Sequence, residues 1–168
     1  MIRSFSGKTP RIAESAFISE AAYVIGEVEI GENSSIWPGA VIRGDFALIK
    51  IGANTQIEDN CIVHTGTPMS IGDNVHIGHG VVVHCRKIGN NVLVGNSSTL
   101  LDGAEIGDFC VIGAHSLVTP GMKIPDRSFA VGVPAEIKGE PSPSQMEWIE
   151  RGTAAYIKLA QEYKEQGL

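Results

Sequence analysis

Long apolar runs, positive charge and cysteine are all scarce in this sequence, and each shortage excludes a class of protein. No apolar run approaches the ~20 residues that a membrane-spanning helix needs. The first residues, "MIRSFSGKTPRIAES", lack the apolar segment of a secretory signal peptide, which predicts a cytoplasmic location. The 13 Lys and Arg are outnumbered by 19 Asp and Glu. The resulting net charge of −6 argues against non-specific binding to nucleic acid.

The chain has three cysteines, Cys61, Cys85 and Cys110. Their odd number and wide spacing argue against a disulfide framework and against a Cys-x-x-Cys metal or redox motif. In a reducing compartment they are expected to be free thiols.

Glycine, by contrast, is abundant, and a hexad repeat accompanies it. The 20 glycines are too many for a helical protein, and they lack the every-third spacing of collagen. An apolar residue instead leads a group of six from residue 12 to residue 135, with few interruptions. A repeat of this length predicts a solenoid. The leading residues are Ile12, Ile18, Val24, Ile30, Ile36, Ile42, Ile51, Ile57, Val63, Ile71, Ile77, Val83, Ile88, Val94, Leu100, Ile106, Ile112, Val118, Ile124 and Ala130.

A second set of positions lies four residues after each leading residue, and nearly all of them are small. Ala16, Ala22 and Ala104 are examples, and Cys61 and Cys110 fall in the same set. An inward apolar residue followed by a small residue at a tight corner predicts short strands on three faces, with three hexads to a coil. We therefore expect a parallel β-helix of about seven coils.

The last part of the chain has a different composition and predicts a helix. An N-terminal segment of residues 1–11 and the repeat region of residues 12–135 are followed by residues 136–168, which should form a linker and one amphipathic helix packed along the solenoid. Ser144 and Glu147 have the spacing of a capping box. The packed face is predicted to contain Ile149, Tyr156, Leu159, Ala160 and Tyr163.

Two interruptions of the repeat come just before a cluster of histidines. The spacing lengthens to nine residues after Ile42 and to eight after Val63. We expect loops at these places, "RGDFALIK" and "HTGTPMS". Insertions into a solenoid commonly gather on its functional face.

The five histidines are unevenly placed. His64 and His84 each directly follow a leading residue at equivalent positions of consecutive coils, so they should stack, with Arg43 in the same column. A spacing of ~4.8 Å between strands lets two imidazoles lean toward one zinc ion. His79 lies two residues after its leading residue and should point away from this column. A neighbouring chain would therefore have to present its own His79 to the same ion.

The remaining candidates near the column are expected to have no part in it. His76 and His115 occupy other positions of their hexads, and both are predicted to be solvated surface side chains. Cys85 follows His84 directly, and because successive residues of a strand alternate sides, it should point away from the column.

Four segments carry a resemblance to a known family: "VIRGD" (41–45), "IEDNCIVHT" (57–65), "IGHGVVVHC" (77–85) and "IGNNVLVGNSSTLLDGAEIGD" (88–108). They resemble the γ-class carbonic anhydrase branch of the hexapeptide-repeat proteins, and the resemblance covers nearly the whole chain. It implies an all-β solenoid, a left-handed parallel β-helix with a C-terminal α-helix. The handedness comes from the resemblance alone, since parallel crossovers are generally right-handed.

The resemblance also implies a metal site and an assembly. In that family the positions of His64 and His84 in one subunit, with that of His79 in its neighbour, bind Zn²⁺, or Fe²⁺ in some conditions, within a homotrimer. Three histidines leave an open position on zinc, which lowers the pKa of water toward 7 and so enables attack on CO₂. The expected small-molecule substrate is CO₂ or bicarbonate, and neither nucleic acid nor a membrane is an expected partner.

Further residues match positions with roles in the family. Arg43, Asp45 and Asp59 match positions that form ion pairs between subunits. Gln56 and Glu58 stand where the family usually has Asn and Gln, and both are catalytic candidates. The family Gln helps to orient the reacting water or the substrate. Glu58 could accept that hydrogen bond, move protons, or be structural.

The best-known active members of the family have acidic side chains at two places where this chain has none. Those places hold Phe46 and the loop "TGTPMS", so proton transfer by that route is in question. Two other functions stay open. One is an acyltransferase or thioesterase that acts on acyl-CoA, and the other is a metal-stabilised trimeric scaffold without activity.

Overall fold

The computed structural model describes all 168 residues, and it is a parallel β-solenoid of about seven turns that matches the left-handed β-helix expected from the sequence. Most strands have only two residues, because the chain turns a corner after each short face. The strands are β1 (Ile2–Arg3), β2 (Arg11–Ile12), β3 (Phe17–Ile18), β4 (Tyr23–Ile30), β5 (Ser35–Ile36), β6 (Val41–Ile51), β7 (Gln56–Ile57), β8 (Ile62–His64), β9 (Met69–Ile71), β10 (His76–Ile77), β11 (Val82–Val83), β12 (Lys87–Ile88), β13 (Leu93–Val94), β14 (Thr99–Leu100), β15 (Glu105–Ile106), β16 (Val111–Ile112), β17 (Leu117–Val118), β18 (Lys123–Ile124), β19 (Phe129–Gly132) and β20 (Ala135–Gly139).

The strands form two sheets, one of twelve strands and one of eight. The larger sheet runs in the order β17-β14-β11-β8-β6-β9-β12-β15-β18, so two faces of the solenoid join through the long strand β6. The smaller sheet runs β3-β5-β7-β10-β13-β16-β19-β20 and forms the third face. All pairs are parallel except β19 with β20. This stacking places equivalent positions of consecutive coils beside each other.

The leading residues of the hexads form the core, as the repeat predicts. Those from Val24 to Ala130 are all buried, whereas Ile12 and Ile18, in the first coil, are only partly buried. Burial of each large aliphatic side chain contributes about 1.5–3 kcal/mol. The apolar core along the solenoid axis is therefore the main source of stability.

The three cysteines are buried free thiols, as expected. Burial raises the pKa of Cys61 and of Cys85 to about 12. Burial also raises the pKa of Cys110. The Cys85 side chain lies in the core, while the neighbouring His84 faces outward.

One of the two predicted loops is wrong. The segment "RGDFALIK" belongs to β6, an eleven-residue strand, and its extra residues extend the pairing with β4 across a register shift between Gly26 and Val28. Gly26 has a positive φ of 84°, and a Cβ there would meet the Gly44 carbonyl oxygen at 2.3 Å. Only the second interruption is a loop, which spans residues 65–68 between β8 and β9.

The C-terminal helix α1 (Pro143–Gln166) packs on the smaller sheet, and its start differs from the prediction. The capping box is formed by Ser142 and Gln145, whose side chains exchange hydrogen bonds with each other's backbone, and not by Ser144 and Glu147. Pro143 explains the shift, because proline favours the first turn of a helix. The helix does not have the apolar run that crossing a membrane requires.

The packed face of α1 is largely as predicted. Ile149 and Ala160 are buried, and Tyr156 and Tyr163 pack with Phe17 and Trp37. The prediction for Leu159 is wrong, since this residue is exposed. Thr153 is buried on the packed face instead.

Candidate functional site

Arg43, His64 and His84 form one outward column on three consecutive coils. Arg43 and His64 are paired in register between β6 and β8, and His84 follows Val83, which pairs with Val63. The imidazole centroids of His64 and His84 are 5.4 Å apart. The predicted stacking is therefore present.

Each histidine of the column has a carboxylate on one ring nitrogen. His64 Nε2 is 3.1 Å from Asp45 Oδ1, and His84 Nδ1 is 3.1 Å from Asp102 Oδ1. Burial raises the pKa of Asp45, but hydrogen bonds from Arg43 and His64 outweigh this effect, so that the pKa lies below its usual value. Asp45 is therefore ionised at neutral pH, and it accepts from both neighbours. Asp102 was not among the site residues predicted from the sequence.

His79 lies apart from this column. Its half-exposed ring sits on a turn, with Nε2 3.0 Å from Glu58 Oε2 and Nδ1 3.0 Å from Asp59 Oδ2. None of these contacts involves the residues around His64 and His84. Within one chain, no group of three His, Cys, Asp or Glu side chains is arranged to hold a metal ion.

His76 is not a solvated side chain, so its prediction is wrong. It is 1% exposed and lies under α1, with Trp148 and Tyr156 ring centroids 4.8 and 4.9 Å from its own. Its Nε2 is hydrogen-bonded to Glu58 Oε1. The hexad pattern showed that His76 faces out from the solenoid, but not that the helix covers that face. His115, in contrast, is exposed, as expected.

Glu58 is a buried carboxylate that is held in its ionised form. Burial raises its pKa, but hydrogen bonds from His76 and Tyr156 outweigh burial, and the pKa falls below its usual value. Burial and the neighbouring Glu58 raise the pKa of the Tyr156 phenol, which stays protonated. Glu58 is therefore a fixed acceptor, and its pKa lies far from that of a group that exchanges protons near pH 7.

Gln56 pairs in register with His76, on the face that the helix covers. Its side chain is buried, its Nε2 donates to the Asn54 carbonyl at 2.7 Å, and its Oε1 has no partner. The structure thus brings Gln56 close to His76, on a face other than that of the His64 and His84 column.

The residues predicted for subunit ion pairs have partners within their own chain. Arg43 pairs with Asp45, and Asp59 with His79. Their role between subunits stays a prediction.

An open cleft adjoins the column. Its volume is about 520 Å³, and it runs along the loop after His64. Phe46, which is 72% exposed, does not line the cleft, and its ring centroid lies 5.7 Å from that of His64. The cleft is lined by Thr65, Thr67, Pro68, His84, Arg86, Asp102 and Gly103.

Comparison with known proteins places these features in a family. Residues 9–44 and 87–120 match the model described as bacterial transferase hexapeptide (six repeats). Residues 49–85 match that of the hexapeptide repeat of succinyl-transferase. Together these matches cover most of the repeat region.

Several relatives are similar over nearly the whole chain. A carbonic anhydrase of Geobacillus kaustophilus is 44% identical, with 98% of this chain and 91% of the relative covered. The mitochondrial gamma carbonic anhydrase 2 of Arabidopsis thaliana is 36% identical over 92% of this chain, which spans 58% of that relative's length. Among solved structures, a hexapeptide transferase family protein of Anaplasma phagocytophilum is 36% identical with a TM-score of 0.93, over 96% of this chain and 97% of its own.

Proposed function

Because this chain belongs to the γ-carbonic-anhydrase-like branch of the hexapeptide-repeat proteins, we propose that it is a metal-dependent enzyme that hydrates CO₂ reversibly at a subunit interface. The proposed metal is Zn²⁺, with Fe²⁺ as an alternative in the cell. The proposed ligands are His64 and His84 of one subunit and His79 of a neighbour in a homotrimer.

The histidines of the column fit such an ion chemically. Imidazole is a ligand suited to zinc and iron. His64 and His84 each have one nitrogen on a carboxylate, and the other forms no hydrogen bond within the chain. A carboxylate on the second nitrogen of a ligating histidine fixes its tautomer and its orientation. Asp45 and Asp102 would have this role.

The observation that carries the proposal is the separation of His79 from the column. His64 and His84 stack with centroids 5.4 Å apart, whereas the ring nitrogens of His79 contact Glu58 and Asp59 on another part of the coil. A third imidazole for the column must then come from another chain. Any closed cyclic assembly gives every column one such histidine, and among these we propose the threefold one, which the family resemblance implies.

The chain's own residues would orient the reactants. Zinc held by three histidines supplies Lewis acidity that lowers the pKa of water to about 7. Glu58 is fixed beside His79, and as an ionised group it can only accept a hydrogen bond. The exposed Phe46 and the loop after His64 offer no acidic group for proton export.

The test of a shared site is complementation between two defective variants. His79→Ala keeps an intact column, and the double variant His64→Ala/His84→Ala keeps an intact His79. Each alone should bind no zinc tightly. After unfolding and refolding together, mixed assemblies should recover zinc binding and CO₂ hydration, because columns of the first variant then meet His79 of the second.

His115→Ala provides the matched control, because His115 is exposed and lies two coils away from His79. This variant should assemble and bind one zinc per chain without being mixed with a second variant. If the mixture did not regain zinc binding, or if His79→Ala alone bound zinc tightly, the shared site would be contradicted.

A second candidate is hydrolysis or transfer of an acyl group from an acyl-CoA. The cleft beside His84 favours it, because about 520 Å³ is far more space than CO₂ needs and Arg86 gives it a cation for an anionic substrate. A zinc-loaded protein that hydrolyses an acyl-CoA but does not hydrate CO₂ would select this candidate.

A further inference from the structure

His76 is a buried histidine for which the proposed reaction gives no role. Its Nε2 contacts Glu58 Oε1, and its Nδ1 is buried without any hydrogen-bond partner. The ring also packs at steep angles against the rings of Trp148 and Tyr156. The only polar contact of the His76 ring is therefore with Glu58.

Glu58 connects His76 to a candidate metal ligand. One carboxylate oxygen faces His76, and the other, Oε2, lies 3.0 Å from Nε2 of His79. An ionised carboxylate has no hydrogen to donate, so both imidazoles donate to it through Nε2, and the nitrogen of His79 that is left for an ion is Nδ1, which lies 3.0 Å from Asp59 Oδ2 within the chain. Glu58 is 3% exposed, while the His79 side chain is 52% exposed. His76, with the Tyr156 phenol, thus holds the carboxylate of Glu58, and this carboxylate, with that of Asp59, holds the half-exposed ring of His79 at the surface.

We propose that His76 is a positioning residue, whose Nε2–H fixes Glu58 so that the free oxygen of the carboxylate keeps the imidazole of His79 in place for a neighbouring subunit. This rests on the proposed function in one respect, namely that His79 is a ligand. His76 does not bind the ion.

The alternative is that His76 only fills space under the helix. The two roles separate because the ring and the donor can be removed independently. His76→Phe keeps an aromatic ring between Trp148 and Tyr156 and removes the donor. His76→Gln removes the ring, but its amide nitrogen can reach the place of Nε2. Trp148→Leu disturbs the packing over the ring without touching Glu58.

Zinc affinity, measured by competition with a chelator of known affinity, gives the first readout. His76→Phe should bind zinc more weakly, by at most the ~10–100-fold that losing the direct partner of a metal ligand costs, with an unchanged stoichiometry of one ion per chain. His76→Gln and Trp148→Leu should keep nearly the affinity of the wild type. Wild-type affinity in His76→Phe, or an equal loss in Trp148→Leu, would overturn the proposal.

If His76→Phe does not fold, a comparison of two polar variants, His76→Gln and His76→Asn, repeats the test. The amide nitrogen of His76→Gln reaches the place of Nε2, whereas that of His76→Asn stops near the place of Nδ1. Only the asparagine variant should lose zinc affinity. Equal affinities in these two variants would overturn the proposal.

The second readout needs no metal and separates this proposal from the function. In metal-free protein, the ring-nitrogen NMR signals of His79 should move in His76→Phe and should stay in place in His76→Gln and in Trp148→Leu. If the wild type bound no zinc, the proposed function would fail, but these signals would still decide the role of His76. Unmoved His79 signals in His76→Phe would reject that role.

Discussion

The five histidines of this chain have different environments, and the environment rather than the residue type assigns each one its role. His64 and His84 face outward in register, each beside a carboxylate. His76 is sealed under the helix, and His115 is in solvent. The hexad position of a residue shows which way its side chain leaves the solenoid. It does not show what the side chain meets there, which depends on the helix and on other subunits.

The acidity of Glu58 leads to a prediction about the rate of CO₂ hydration. Its pKa is held below the usual range, and Phe46 and the loop after His64 supply no other proton carrier. Export of the proton to buffer should therefore limit the zinc-loaded protein. We expect the rate, followed by stopped flow, to rise with imidazole buffer concentration at constant pH and ionic strength. A rate that is independent of the buffer would contradict this reading.

At the scale of elements, the solenoid could be predicted well and the helix less well. The core follows from a period that any coil repeats, so Ile106 or Val118 could be assigned from the sequence alone. The "RGDFALIK" segment could not, because its residues continue the pairing with β4 instead of leaving the sheet. The hexad period shows which side chains of each coil point inward. It does not show where the helix contacts the solenoid.

The helix start gives a matched pair of substitutions. Ser142 accepts from the Gln145 backbone, whereas Ser144 caps no backbone group and has only an exposed hydroxyl contact of 3.0 Å with Ser142. Ser142→Ala should lower the free energy of unfolding by about 1 kcal/mol, the usual cost of a lost N-cap. Ser144→Ala should change it by less than about 0.5 kcal/mol, as expected for a surface site. Urea unfolding followed by circular dichroism distinguishes the two, and a larger loss in Ser144→Ala would contradict the assignment.

At the scale of the whole molecule, the proposed site requires more than one chain. The column offers two imidazoles and the turn offers one, in directions that do not converge within one chain. Arg43 lies at one end of the column and the exposed Phe46 lies beside His64, and we expect both to contact a neighbouring subunit. Assembly and metal binding should then depend on each other.

Sedimentation at micromolar concentration should give three times the chain mass of 17.8 kDa. A chelator should shift the distribution toward smaller species, because zinc would bridge subunits and bind only the assembled form. Arg86→Ala, whose side chain lies in the cleft, should leave the trimer unchanged. A monomer that binds one zinc per chain would exclude the shared site.

The antiparallel strand β20 has a consequence for how the molecule ends. A stack of parallel coils is an unfinished template, since the last coil could pair with the first coil of another molecule and start a fibre. The chain reverses direction at β20 and covers β19 on one of the three faces. This strand has an exposed ion pair between Glu136 and Lys138. An incoming coil must continue all three faces at once, so closing a single face with a charged reversed strand is enough to keep the solenoid finite.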